Sequence, residues 1–221
     1  MSWTEQLIHF VDFEGSVGSG ILEYGVVSLR GGEIVETTTR LCRATGRVRD
    51  EDVAVHGLAA ATVAAQAPFG DEFERFARLR ESGPLAAHFA QAENTMIKSV
   101  WAYPRNSPDF VRPGNKAAEW GPWVDTGRLF PQLYPKLESA KLGALVERGG
   151  LQGELDVVAA RYCPADRCRY HAALYDALAG ALLLRRLAKE PTVAAQSLAW
   201  LLTMSTMDPQ KRAAMTQEDL F

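Results

Sequence analysis

Three places in this sequence put acidic side chains where ordinary folding gives them little reason to be. Asp12 and Glu14 close the run Phe10-Val11-Asp12-Phe13-Glu14. Side chains alternate across a strand, so the two carboxylates project from one face. Adjacent carboxylates repel, and burying them unpaired is costly. A divalent cation relieves both costs, and hard cations such as Mg²⁺ take oxygen ligands. Taken alone, the pair fits a solvated strand end better. Glu93 follows the short apolar run Leu85-Ala86-Ala87 at the start of a predicted helix. The helix macrodipole favours a carboxylate there, so capping explains it equally well. His171 and Asp176 are five residues apart, about 140° on a continuous helix. They share a site only with His171 in the approach and Asp176 in the first turns. Asp176 lies in an otherwise apolar segment, where an unpaired carboxylate needs a reason.

The elements that must position these groups are legible from periodicity. Residues 7–13, 21–29 and 33–41 read as strands, the last two joined by the turn Arg30-Gly31-Gly32-Glu33. Phe73, Phe76 and Leu79 recur at helical spacing within 71–80. A short strand over 84–88 leads into a helix over 91–101. Residues 103–122 hold Pro104, Pro108, Pro113, Gly114, Gly121 and Pro122, as in a long loop, with Trp101, Trp120 and Trp123 at its edges. Packing against the domain is the preferred role for these tryptophans, ahead of base stacking. From Asp125 onward the chain is mainly helical, and 171–188 is apolar on nearly every side, as in a buried helix. Early strands and late helices predict a single mixed α/β or α+β domain over 1–204, followed by a flexible polar tail over 205–221.

Composition narrows the function classes. The 221 residues are 47% hydrophobic and 23% charged, ordinary for a globular protein of one good-sized core. A net charge of −3 counts against a protein that coats polyanions, though not against an enzyme whose acidic site is neutralised by metal ions. No basic start precedes an apolar run at the N-terminus, and the longest apolar stretch, 177–184, is too short for a membrane span. Cys42, Cys163 and Cys168 are expected as free thiols in a reducing compartment, which predicts a cytoplasmic location with no membrane partner. Arg40, Arg43, Arg47 and Arg49 form either a phosphate contact or a solvated basic turn. Cys163, Cys168 and His171 are rejected as a zinc site, offering only three ligands and consuming the histidine.

In order and spacing the acidic residues resemble the DEDD-type 3′–5′ exonucleases of the histidine-containing DEDDh branch, similar to proofreading subunits of DNA polymerase III and RNase T. Phe10-Val11-Asp12-Phe13-Glu14 with Ile21-Leu22-Glu23-Tyr24-Gly25 is similar to the first motif and second strand. Val55-His56-Gly57-Leu58, Ala87-His88 through Glu93, Asp125-Thr126 with Leu129, and His171-x4-Asp176 resemble the later segments. The resemblance implies a ribonuclease-H-like α/β domain with a five-stranded mixed sheet flanked by helices, the fifth strand near Trp123. It implies that Asp12, Glu14, Glu93 and Asp176 hold two Mg²⁺ (or Mn²⁺), with His171 as general base. Gly15, Ser16 and His88 are the residues expected beside the substrate, His88 as a structural partner of the second motif. The chain departs from the family where Phe89, Ala92 and Glu93 replace an Asn, an aromatic and an Asp. Glu93 keeps the charge but carries its carboxylate outward by about one bond length. Gly15-Ser16 replaces paired threonines.

The tail ends Gln217-Glu218-Asp219-Leu220-Phe221, which resembles the peptide by which bacterial replication and repair proteins dock on the sliding clamp. Gln217 would hydrogen-bond at a pocket rim that Leu220 and Phe221 fill. Single-stranded DNA is therefore the expected substrate, with an RNA-trimming enzyme as the alternative and a non-catalytic nucleic-acid-binding module as the third reading.

Overall fold

The run that carries Asp12 and Glu14 folds as β1 (Ile8–Ser16). It continues into β2 (Gly20–Arg30) and β3 (Glu33–Leu41), the expected meander. Helices α1 (Asp50–His56), α2 (Ala60–Val63) and α3 (Phe73–Ser82) precede the three-residue strand β4 (Leu85–Ala87), which leads into α4 (Gln91–Val100). A ribbon of β5 (Ser107–Pro108) and β6 (Lys116–Ala117) precedes β7 (Val124–Asp125). Then come α5 (Thr126–Leu133), α6 (Leu142–Arg148), α7 (Gln152–Tyr162), α8 (Ala173–Ala188), α9 (Pro191–Ala194) and α10 (Leu198–Met204). This computed structural model describes residues 2–206, so Gln217, Leu220 and Phe221 lie outside the described residues.

The sheet order is β3-β2-β1-β4-β7, with β1 antiparallel to β2 and parallel to β4. It is the five-stranded mixed sheet flanked by helices that was expected. Alternation along β1 sorts its side chains. Ile8 and Phe10 join the core built with α8, whereas Val11 and Phe13 join the opposite core with Phe76 and Trp120. Because both faces are covered, the strand reads as an almost unbroken apolar run. Asp12 and Glu14 continue the face that Phe10 begins, which aims them at α8.

The loop over 103–122 is more ordered than its proline content predicts, because it wraps a buried cation. Arg80 is fully buried and donates to the carbonyls of Glu119 (2.9 Å), Pro108 (2.9 Å) and Gly121 (3.1 Å). Trp120 is equally buried and donates to Trp101 O at 2.9 Å. Trp123 donates to Asn94 Oδ1 at 3.1 Å. These rings face the interior and pack, as preferred from the sequence.

α8 can approach the sheet only because position 25 has no side chain. Gly25 lies opposite Asp12 in β2, and a Cβ there would sit 2.4 Å from the backbone of Ala173 and Leu174. No rotamer change relieves a clash with backbone. Gly25→Ala is therefore expected to cost about 3 kcal/mol, the upper end of overpacking penalties, read from urea unfolding. An unchanged unfolding midpoint would mean that α8 can retreat freely.

Candidate active site

The end of β1 and the start of α8 meet to form an acidic cleft. Asp176 lies in the first turn of α8, and His171 in the approach to it, as the spacing required. Side-chain ligand atoms of Glu14, His171 and Asp176 all lie within 4.8 Å of one another. Among the described residues, that is the one group of three or more His, Cys, Asp or Glu side chains so placed. Among the described residues Cys163 and Cys168 belong to no such group.

Further carboxyls crowd this trio. Burial, reinforced by the charges of Asp176, Glu14, Glu93 and Glu23, pushes the Asp12 carboxyl well above the usual carboxylate range. Burial raises Glu14 to about 8, reinforced by Asp176 and Glu23 and opposed by Arg167. Glu93 rises to about 8, mainly through burial. Asp176 rises to about 7 for the same reason, despite a hydrogen bond from the His171 backbone.

The longer side chain of Glu93 does not turn outward. It is 6% exposed, and its Oε2 is buried with no hydrogen-bond partner. Asp176 accepts from the His171 N–H through Oδ2 at 3.0 Å, while its buried Oδ1 likewise has no partner. Unpartnered carboxylate oxygens in a cluster of acids are unstable as they stand. Divalent cations with oxygen preference would satisfy them, so the donor set fits the ions the sequence implies. The buried leucines of α8 contribute about 1.5–3 kcal/mol each on burial, which offsets the cost of burying Asp176 among them.

The histidines divide cleanly. His171 is exposed at the cleft and has a left-handed backbone, φ 62°. His88 makes two internal bonds, Nδ1 to Thr126 Oγ1 (2.9 Å) and Nε2 to Ala140 O (2.8 Å). A carbonyl only accepts, so Nε2 carries the proton and Nδ1 accepts from the threonine hydroxyl. Burial lowers the His88 pKa to about 4, and neither nitrogen is left for a substrate. It braces the end of β4 against α5. His9 is similarly enclosed by Ser28 (2.8 Å) and Ser82 (2.9 Å).

Gly15 and Ser16 form the tight exit from β1 beside Glu14. Gly15 has φ 127°, and a Cβ there would meet Gly20 O at 2.4 Å. The Ser16 N–H donates to Ser19 Oγ at 3.0 Å, which closes the turn. Of the basic segment, Arg40 pairs with Glu72, and Arg49 with Glu51 and Asp52 (both 2.8 Å). Arg43 and Arg47 are exposed.

Other residues that shape the site received no role from the sequence. Asp125 accepts from Phe89 N (2.9 Å), Ala90 N (3.0 Å) and Arg128 N (3.2 Å). It thereby caps α5 and fixes the turn, with Phe89 at φ 59°, that launches α4 and Glu93. Asp-Thr at a strand–helix junction was the available signal. Glu23 and Arg167 form a buried pair behind His171. Glu23 stood in the second-strand segment, but nothing local linked it to a residue so distant in sequence.

No protein-family model matches the sequence, and no curated protein sequence matches it. Solved structures do match. Exonuclease X, in complex with 5′ overhanging duplex DNA, superposes with a TM-score of 0.63 at 22% identity, covering 88% of this chain and 99% of that one. The nuclease domain of 3′hExo, a DEDDh family member bound to rAMP, gives 0.62 at 16% identity over 89% and 98%. E. coli Exonuclease I in complex with a dT13 oligonucleotide gives 0.62 at 11% identity over 85% of this chain and 42% of that one. These structural neighbours are exonucleases, and the likeness establishes a shared ribonuclease-H-like fold. No helix among the described residues is long and apolar enough to cross a membrane.

Proposed function

We propose that this chain is a divalent-metal-dependent 3′–5′ exonuclease of the DEDDh type, which removes nucleotides from the 3′ end of single-stranded DNA in proofreading or repair. One observation carries the reading. Glu14, Asp176 and the exposed His171 meet within 4.8 Å of one another, the charges of Glu14, Asp176 and Glu93 bear on the buried Asp12, and one buried oxygen each of Glu93 and Asp176 is unpartnered. Asp12, Glu14, Glu93 and Asp176 would hold two Mg²⁺ or Mn²⁺. When bound, the ions supply Lewis-acid charge at the scissile phosphate.

The remaining work falls to the chain itself. His171 takes the proton from the attacking water as general base. Its exposure lets it pass that proton to solvent and reset. Asp176 acts through both of its oxygens. Oδ2 holds the His171 N–H, while Oδ1 is left for an ion. Gly15 and Ser16 form the closed turn at the end of β1 that would lie beside the substrate. His88 supports the second motif from behind.

The preference for DNA rests on the tail, whose Gln217, Leu220 and Phe221 we propose to dock on a sliding clamp. The alternative of RNA trimming is kept by the neighbours, one of which recognises a histone mRNA stem-loop. Matched 3′-tailed DNA and RNA oligonucleotides, incubated with Mg²⁺ or Mn²⁺, decide between the two. Expected is metal-dependent shortening from the 3′ end, faster on DNA and absent in Asp12→Ala. No shortening of either sugar in either metal would instead favour a non-catalytic binding module.

A further inference from the structure

Behind the cleft lies a buried ion pair that touches none of the reacting groups directly. Glu23 and Arg167 are 2% and 6% exposed. Glu23 stands opposite Glu14 in the β1–β2 register, so its carboxylate would add a fifth negative charge to the cluster. The Arg167 fork takes it: Nε donates to Oε1 at 3.2 Å and Nη2 to Oε2. The other donors of the fork reach backbone. Nη1 donates to His56 O at 2.7 Å, at the end of α1, and Nη2 donates to His171 O at 3.2 Å. Glu23 Oε2 in turn accepts from Ala173 N at 3.1 Å, the first residue of α8.

The backbone over 171–173 is therefore pinned at three points. The N–H of His171 goes to Asp176, its carbonyl to Arg167, and the N–H of Ala173 to Glu23. His171 needs such pinning. A left-handed φ of 62° is unfavourable for a residue with a Cβ, and it persists only when its surroundings impose it. A buried ion pair is weak evidence of stability, since apolar residues of like volume often serve as well. The contacts of this pair give it a different use.

We propose that Arg167, anchored by Glu23, is a positioning residue that holds His171 in its left-handed conformation with the imidazole facing the carboxylates. This rests on the exonuclease reading for its consequence, though not for its geometry. Only arginine suits the position. Its planar fork meets a carboxylate and two carbonyls at once, whereas lysine offers a point charge on a flexible stem.

The test uses the full chain carrying Arg167→Lys, and separately the paired Arg167→Met with Glu23→Leu, which removes both charges together. The second keeps the question open to an answer if the first fails to fold. Two quantities are read: kcat and KM for 3′-end shortening, and the His171 ring resonance, assigned by its loss in His171→Asn. In folded variants kcat should fall roughly tenfold to a hundredfold with KM within twofold, as misplacement of a reacting group does. The His171 resonance should shift or broaden while those of His9 and His88 stay. A folded variant with wild-type kcat, or an unmoved His171 resonance, overturns the proposal. Should the unmodified chain shorten no oligonucleotide, the exonuclease reading fails. The resonance alone then decides whether Arg167 holds His171.

Discussion

His171→Asn is expected to lower turnover by about 10²–10⁴-fold, the usual contribution of a general base, while leaving KM and the unfolding midpoint nearly unchanged. The asymmetry follows from where the residue sits. His171 is exposed, so its ring contributes little to the core. Its backbone is held by Asp176 and Arg167 through the N–H and carbonyl, which asparagine also possesses. Asparagine is among the residues that tolerate positive φ, so the turn survives. What disappears is the imidazole, placed within 4.8 Å of the Glu14 and Asp176 oxygens. Asparagine cannot take a proton at working pH. Steady-state kinetics on a 3′-tailed oligonucleotide would measure the loss. A fall of less than tenfold would remove His171 from the base role.

The second large effect concerns stability without metal. Glu14 and Glu93 are held near pKa 8 and Asp176 near 7, with Asp12 also raised. Each of these acids binds its proton more tightly in the folded state than in the unfolded one. Between the usual carboxylate range and the raised values, folding takes up protons, so stability falls as pH rises. Each proton taken up contributes a slope of about 1.4 kcal/mol per pH unit. Treated with a chelator, the chain should therefore be markedly more stable at pH 5.5 than at pH 8. Saturating Mg²⁺ or Mn²⁺ should reverse this at pH 8, adding about 2.7 kcal/mol per ion at a hundredfold excess over Kd. Asp12→Asn removes one charge from the middle of the cluster. It should raise metal-free stability at pH 8 while abolishing turnover. Urea unfolding at the two pH values, with and without metal, reads all three. Equal metal-free stability at both would show that the carboxyls do not crowd one another.

Both effects arise from the same conflict. Asp176 is kept in an apolar helix that would pack without it, and Glu93 is folded inward although a first-turn glutamate is usually solvated. Both positions cost stability and suit ion binding. The pairing of Arg49 with Asp52 shows the opposite arrangement, in which surface charges find partners within the chain.

Much of this was legible in the sequence because it depends on short windows. Alternation over 7–13 placed Asp12 and Glu14 on one face, and the five-residue spacing put His171 in the approach to α8. The strands of the meander and the helices at 71–80, 91–101 and 171–188 followed from local period and apolar runs, to within two residues at most boundaries. β7 did not, since two residues carry no period, and the order around Arg80 did not, since prolines hid it. Only tertiary structure decided that Gly25 must lack a side chain so that α8 can approach, and that Glu23 pairs with an arginine 144 residues away. It also turned both nitrogens of His88 inward. The physical reason is common to all three. Periodicity and local spacing determine which face a side chain occupies, whereas strand register and helix docking determine what that face meets.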